Sequence, residues 1–145
     1  MIAVILSGHG SFASGLAHAV RQIIGEQEQF TFIDFPECMT TEQLETRMKK
    51  DIQEIDTQEG IVFFTDLLGG SPFRTASLLS QKRDDIEVIA GTNLQMVAEM
   101  LLDRDELPLK SFREQALVCG HRGMTSLFDE LQTNSMAQQE VEDGI

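Results

Sequence analysis

Cysteine is scarce in this chain: Cys38 and Cys119 are the two it holds, far apart and outside any CxxC pair. That removes a disulfide framework and a tandem zinc spacing, and both are expected to be reduced, half-buried thiols with no chemistry to do. Long apolar runs are missing as well. The N-terminal MIAVIL has no positive region before it and gives way at once to Ser-Gly-His-Gly, too short for a signal peptide or a membrane span, so a cytoplasmic protein is expected. Basic residues are few, 11 against 24 acidic ones, for a formal net charge of −13. Such a surface repels nucleic-acid phosphates and anionic membranes, leaving no nucleic-acid partner and making a basic protein partner the natural expectation. There is no internal repeat, and 145 residues suit one domain that buries roughly two thirds of the surface its unfolded chain exposes.

What is there alternates. Ile2–Leu6 is an apolar run of strand length, followed by a glycine turn and then by Leu16, Val20, Ile23 and Ile24 at helical spacing up to Gly25. Phe30–Phe35 reads as a second strand closed by Pro36. Thr40 and Gln43 form a capping-box pattern ahead of a helix with an apolar stripe of Leu44, Met48, Ile52 and Ile55. Ile61–Thr65 is a third strand. Ser71 as N-cap with Pro72 at the first helical position predicts a helix to about Gln81. Asp85–Ala90 is a fourth strand, Gly91-Thr92-Asn93 a turn, and helices follow to about Leu102 and over Ser111 to Gly120, with Asn93 as the cap of the first. Gly123–Leu127 offers one short extra strand, and beyond Asp129 the acid-rich tail lacks apolar patterning and is expected to be disordered. The organisation is therefore a domain over 1–130 and a tail over 131–145. Its fold class is α/β: an open, doubly wound, mainly parallel sheet with helices on both faces.

Ligands of such sheets gather at the carboxyl ends of the strands, where strand order reverses. Three loops fall on that edge. The first is SGHGSFASG, in which His9 stands between two glycines after the first strand and is reachable by something large. Asp66 has the analogous place after the third strand, adjacent to the first in the commonest doubly wound orders. Its carboxylate can hold one ring nitrogen of His9 and leave the other with a free lone pair. Ser71-Pro72-Phe73 opens a helix with a hydroxyl and unpaired backbone N–H groups, which attract an anion without any lysine. Ser71, Gly10, Gly70 and Phe73 make the candidate phosphate-binding set, with His9 and Asp66 the candidate catalytic pair. The third loop, Gly91 to Asn93, has N–H groups that could face the same pocket. Asp34 is a more peripheral candidate, and His18 and His121 are assigned no role. No metal and no cofactor are expected.

SGHGSFASG, FFTDLLGGSPF and VIAGTNLQMV, in this order over about residues 1–130, together resemble the mannose-class IIA component of the bacterial phosphoenolpyruvate-dependent sugar phosphotransferase system, whose members carry mannose, fructose, sorbose or N-acetylgalactosamine systems. The resemblance implies that His9 is phosphorylated by the carrier protein HPr and passes the phosphoryl group to a histidine of a IIB component, while membrane IIC and IID proteins bring in the sugar. It implies that Asp66 positions the active histidine and that Ser71 is the serine at the phosphate-binding helix start. It also implies a homodimer that exchanges its C-terminal strand, which would account for the weak Gly123–Leu127 segment. Unlike fused relatives, the sequence shows no IIB domain after its acidic tail, so the IIB partner is expected to be a separate polypeptide.

Four other readings compete. Gly8-x-Gly10-x-x-Ala13 with Asp34 downstream fits a nucleotide-binding module. A histidine phosphatase would share the His-Gly after the first strand but expects an arginine where Gly8 stands. The phosphoryl-accepting subunit of a phosphoenolpyruvate-dependent dihydroxyacetone kinase would have similar first and third loops. A receiver domain needs clustered acids and a lysine late in the sheet, which the fourth strand lacks.

Overall fold

The computed structural model describes residues 1–56 and 58–134. Strands and helices alternate up to α4, and a further helix follows: β1 (Ala3–His9), α1 (Phe12–Ile24), β2 (Phe30–Phe35), α2 (Thr41–Glu54), β3 (Ile61–Thr65), α3 (Ser71–Ser80), β4 (Ile86–Ile89), α4 (Leu94–Asp103) and α5 (Leu109–Arg122). The sheet order is β2-β1-β3-β4, with every pairing parallel. The chain runs outward from β1 to β2, then crosses back to β3. The reversal point is therefore the crevice between β1 and β3.

Strand periodicity sorts the core into two layers. Val4 and Leu6 of β1 and Val62 and Phe64 of β3 point to one face, where Ala17 and Val20 of α1, Val97 of α4 and Phe112 of α5 cover them. Ala3, Ile5, Ile61 and Phe63 point to the other face, under Leu44 and Met48 of α2 and Leu79 of α3. β1 and β3 are buried on both faces, which is why they read as continuous apolar runs rather than as alternating ones.

Several boundaries differ from the sequence reading. β1 continues past the glycine, and its ladder with β2 ends on the pair His9 and Phe35. His9 is thus the last strand residue rather than part of a loose turn. The capping box of α2 forms, with Thr40 Oγ1 accepting the Gln43 N–H at 3.1 Å and Gln43 Oε1 accepting the Thr40 N–H at 2.9 Å. At α3 the cap position is taken by Gly70, and Ser71 is the first helical residue. The two cysteines are not alike either. Cys38 is exposed and Cys119 buried, and burial together with the Glu99 carboxylate pushes the Cys119 thiol up to about 11, keeping it protonated and inert.

The extra strand at Gly123–Leu127 does not form. Residues 124–126 are irregular and 127–134 are helical. Ser126 Oγ accepts the Asp129 N–H at 3.1 Å, a local N-cap that starts a helix where a lone strand would have had no ladder to join. The expected disordered tail is helical over 131–134, and its remainder, 135–145, lies outside the described residues. No helix among the described residues is long and apolar enough to cross a membrane.

Candidate functional site

β1 and β3 deliver His9 and Asp66 to the two sides of the reversal point. His9 Nδ1 lies 2.8 Å from Asp66 Oδ2, and the His9 backbone N–H donates to the same oxygen at 2.8 Å. An ionised carboxylate only accepts, so Nδ1 carries the proton of the neutral ring and Nε2 keeps a free lone pair. The His9 side chain is 47% exposed and that of Asp66 15%. The carboxylate is therefore mostly buried and the imidazole about half open to solvent. Burial alone would raise the Asp66 carboxyl, but the His9 N–H, the His9 ring and the Leu67 backbone amide outweigh it and hold the group below the ordinary carboxylate value.

The Asp66 loop is braced from behind by the loop after β4. Gly91 N–H donates to the Asp66 carbonyl at 2.7 Å and Thr92 N–H to the Thr65 carbonyl at 3.2 Å, while Thr65 Oγ1 donates to the Ile89 carbonyl at 2.9 Å. The third loop is thus a buttress. Asn93 is occupied too, its Oδ1 capping α4 through Met96 N–H at 2.9 Å and its Nδ2 donating to the Gly120 carbonyl at 2.9 Å.

α3 begins directly against the imidazole. A Cβ on Gly70 would lie 2.8 Å from His9 Cε1, so a bulkier residue would displace the ring. With glycine in the cap position, no side chain caps α3. The N–H groups of Ser71 and Phe73 start the helix on either side of Pro72, which has none, and the Ser71 hydroxyl has no partner among the described residues. First-turn donors left open at a helix start can receive an anion. Gly10, in the left-handed region at φ +56°, turns the chain from β1 toward α1 while its N–H donates to the Phe35 carbonyl at 2.9 Å. Of the candidate residues, Asp66 and Gly70 thus meet the His9 ring directly. Ser71 enters as a first-turn residue instead of the cap, and Phe73 shares with Asp66, Leu67, Val88, Arg113 and Leu117 a neighbouring groove of about 620 Å³.

Sequence reasoning missed Phe35. Its ring meets that of His9 edge-on, centroids 5.7 Å apart and planes at 74°; the signal was its place at the end of the strand beside β1. Two competing readings lose ground here. Asp34 Oδ1 accepts the Ser14 N–H at 2.9 Å, so the carboxylate offered to a ribose hydroxyl is capping α1. A Cβ on Gly8 would sit 2.4 Å from the Phe12 ring, which leaves no room for a phosphatase-type arginine. Among the described residues no group of three or more His, Cys, Asp or Glu side chains is placed to hold a metal ion.

Comparison with known proteins identifies the family. Residues 3–117 match the family described as the fructose IIA component of the phosphotransferase system. The chain is 36% identical over 129 residues to the mannose-specific EIIAB component of Escherichia coli K12, covering 87% of this chain and 39% of that protein. It thus spans about two fifths of that relative's length. It is 25% identical over 141 residues to the fructose-specific EIIA component of Bacillus subtilis, covering 97% of each. The crystal structure of the EIIA component from Streptococcus agalactiae superposes with a TM-score of 0.83 at 29% identity, over 89% of this chain and 99% of that one. A histidine at the reversal point of a β2-β1-β3-β4 sheet and a match over most of the chain lead to one assignment: the chain belongs to the mannose-class IIA component family of the sugar phosphotransferase system.

Proposed function

We propose that the protein is a cytoplasmic phosphocarrier that accepts a phosphoryl group from phospho-HPr on His9 and passes it to a IIB component, in a system completed by membrane IIC and IID proteins. The observation that carries this reading is the His9–Asp66 contact at 2.8 Å, which commits Nδ1 and leaves Nε2 open before the uncapped start of α3. The Nε2 lone pair attacks the phosphorus of the donor's phosphoimidazole in line. The donor P–N bond breaks, its electron pair returns to the donor ring, and a new P–N bond forms on His9. The proton on Nδ1 stays there, and Asp66 offsets the positive charge that the ring gains. The N–H groups of Ser71 and Phe73 and the Ser71 hydroxyl donate to the phosphoryl oxygens. Transfer to IIB is the same step reversed.

The reading includes a homodimer. β4 is an edge strand of the sheet, the apolar groove lies along it, and Met124, Leu127, Phe128 and Leu131 are exposed at 75%, 76%, 69% and 56%. A second copy's C-terminal segment has the length and apolar character to fill that groove and pair with that edge.

The test is intact-mass spectrometry after incubation with phosphoenolpyruvate, Enzyme I and HPr. Wild type is expected to gain one acid-labile phosphoryl group and His9→Ala none. Labelling that survives in His9→Ala would overturn the assignment.

A further inference from the structure

The contact between His9 and Asp66 does not by itself aim Nε2. The torsion that turns an imidazole about its Cβ–Cγ bond is broad and has no strong staggered preference, and this ring is about half exposed. A bond to Nδ1 leaves the ring free to rock about the Nδ1–Oδ2 direction, and a half-turn would exchange Nδ1 for a carbon. In-line transfer demands a fixed direction, because displacement of a reacting atom by about 1 Å is costly to the rate. Packing has to supply what the hydrogen bond does not.

Two neighbours touch the ring besides Asp66. Gly70 lies against Cε1, and Phe35 meets the ring edge-on at 5.7 Å. Phe35 is itself well anchored. It pairs with His9 in the β1–β2 ladder, its carbonyl accepts the Gly10 N–H at 2.9 Å, and its side chain packs against the core layer beneath α2 and α3. A half-buried aromatic ring on an anchored strand end, packed on the core and set at 74° to the imidazole, is a wall, not a passing contact.

We infer that Phe35 is a positioning residue for His9: its ring narrows the imidazole torsion so that Nδ1 stays on Asp66 and Cε1 stays against Gly70, which fixes the direction of Nε2. It touches neither donor nor phosphoryl group and acts through the histidine alone. The inference deepens the phosphocarrier reading and rests on it for the transfer step, while the orientation of the ring stands independently.

The test uses the full chain with Phe35→Leu, which keeps apolar volume but removes the aromatic edge, and Phe35→Tyr, which restores it. Nitrogen-15 spectra of the His9 imidazole report its tautomer and rotational averaging, and phosphorylation is timed over a range of phospho-HPr concentrations. Wild type and Phe35→Tyr are expected to show one imidazole form protonated at Nδ1. Phe35→Leu should show averaged ring signals and a maximal rate about tenfold lower with an unchanged half-saturating concentration. Should Phe35→Leu fail to fold by circular dichroism, Phe35→Met is read in the same way. A folded variant with wild-type ring signals and maximal rate would overturn the inference. So would a loss confined to the half-saturating concentration, which marks a docking residue. If wild type itself takes no label, the phosphocarrier reading fails, and the ring signals still decide whether Phe35 orients His9.

Discussion

Asp66 concentrates two donors on a single oxygen: the His9 ring and the His9 backbone N–H both reach Oδ2 at 2.8 Å. It therefore fixes where the strand end sits as well as which ring nitrogen is protonated. Since its folded-state value lies below the ordinary 3.8, its ionised form stabilises the fold at every pH above that ordinary value, and the contribution is lost as pH falls through the lowered folded value. Asp66→Asn cannot titrate. The stability advantage of wild type over Asp66→Asn, measured by urea unfolding, should thus be present at pH 6 and shrink by pH 3. At neutral pH the same variant should fold yet accept the phosphoryl group roughly 10- to 100-fold more slowly, because a neutral amide neither enforces the Nδ1 proton nor offsets the charge on the phosphorylated ring. Timed labelling measures this, and an Asp66→Asn rate equal to wild type would remove the carboxylate from the mechanism.

Three of the helices have a side-chain partner at their N-terminus. α1 receives Asp34 on its Ser14 N–H, α2 has its Thr40–Gln43 box, and α4 has Asn93. α3, which starts against His9, has no side-chain cap. α5, which follows Pro108, has none either; open first-turn donors cost stability unless something outside the chain meets them, and those of α3 lie beside His9. Thr40→Ala is the contrasting probe. Loss of that cap should cost about 1 kcal/mol in urea unfolding while phosphorylation of His9 proceeds at the wild-type rate, since α2 supplies no group to the cradle.

At the scale of the whole molecule, the edge of the sheet opposite the site is tied by Arg104. Only 2% exposed, it donates to the Ile2 and Gln29 carbonyls at 3.0 Å each and to the Glu28 carbonyl, joining the end of α4 to the chain before β1 and β2. Burial pulls its guanidinium below the ordinary arginine value, yet the three carbonyls keep it useful. Arg104→Met would take this donor from all three, the Gln29 carbonyl keeping the Val4 N–H, and a loss of about 2 kcal/mol or more is expected in denaturant unfolding, with the His9 site, at the other end of the strands, still able to take label once folded. The proposed dimer belongs to this scale too. Light scattering should give twice the chain mass, and truncation after Arg122 should give a monomer with its apolar groove exposed. A full chain that stays monomeric at tens of micromolar would remove the homodimer from the reading.

Much of this was legible along the chain. Apolar runs of strand length, helical stripes, Pro36 and the Thr40 box located nearly every element. His9, Asp66 and the start of α3 could be named because each follows a strand, and in a parallel α/β sheet all such positions share an edge. What stayed hidden concerns distance between segments remote in sequence. Whether Asp66 meets Nδ1, whether Gly70 lies against Cε1 and whether Phe35 walls the ring depend on the order β2-β1-β3-β4, which puts β1 between the strands that carry these groups. The C-terminal segment is helical in the single chain for a related reason: strand character there needs a ladder partner, which a second copy would have to supply, and a single chain offers Ser126 a local cap instead. Sequence alone determined the elements, the two-faced burial and the kind of group at each strand end, because these follow from local periodicity and turn chemistry. Only the tertiary structure decided which ring nitrogen is free and what holds it in line, because these are contacts between strand ends that only the assembled sheet brings together.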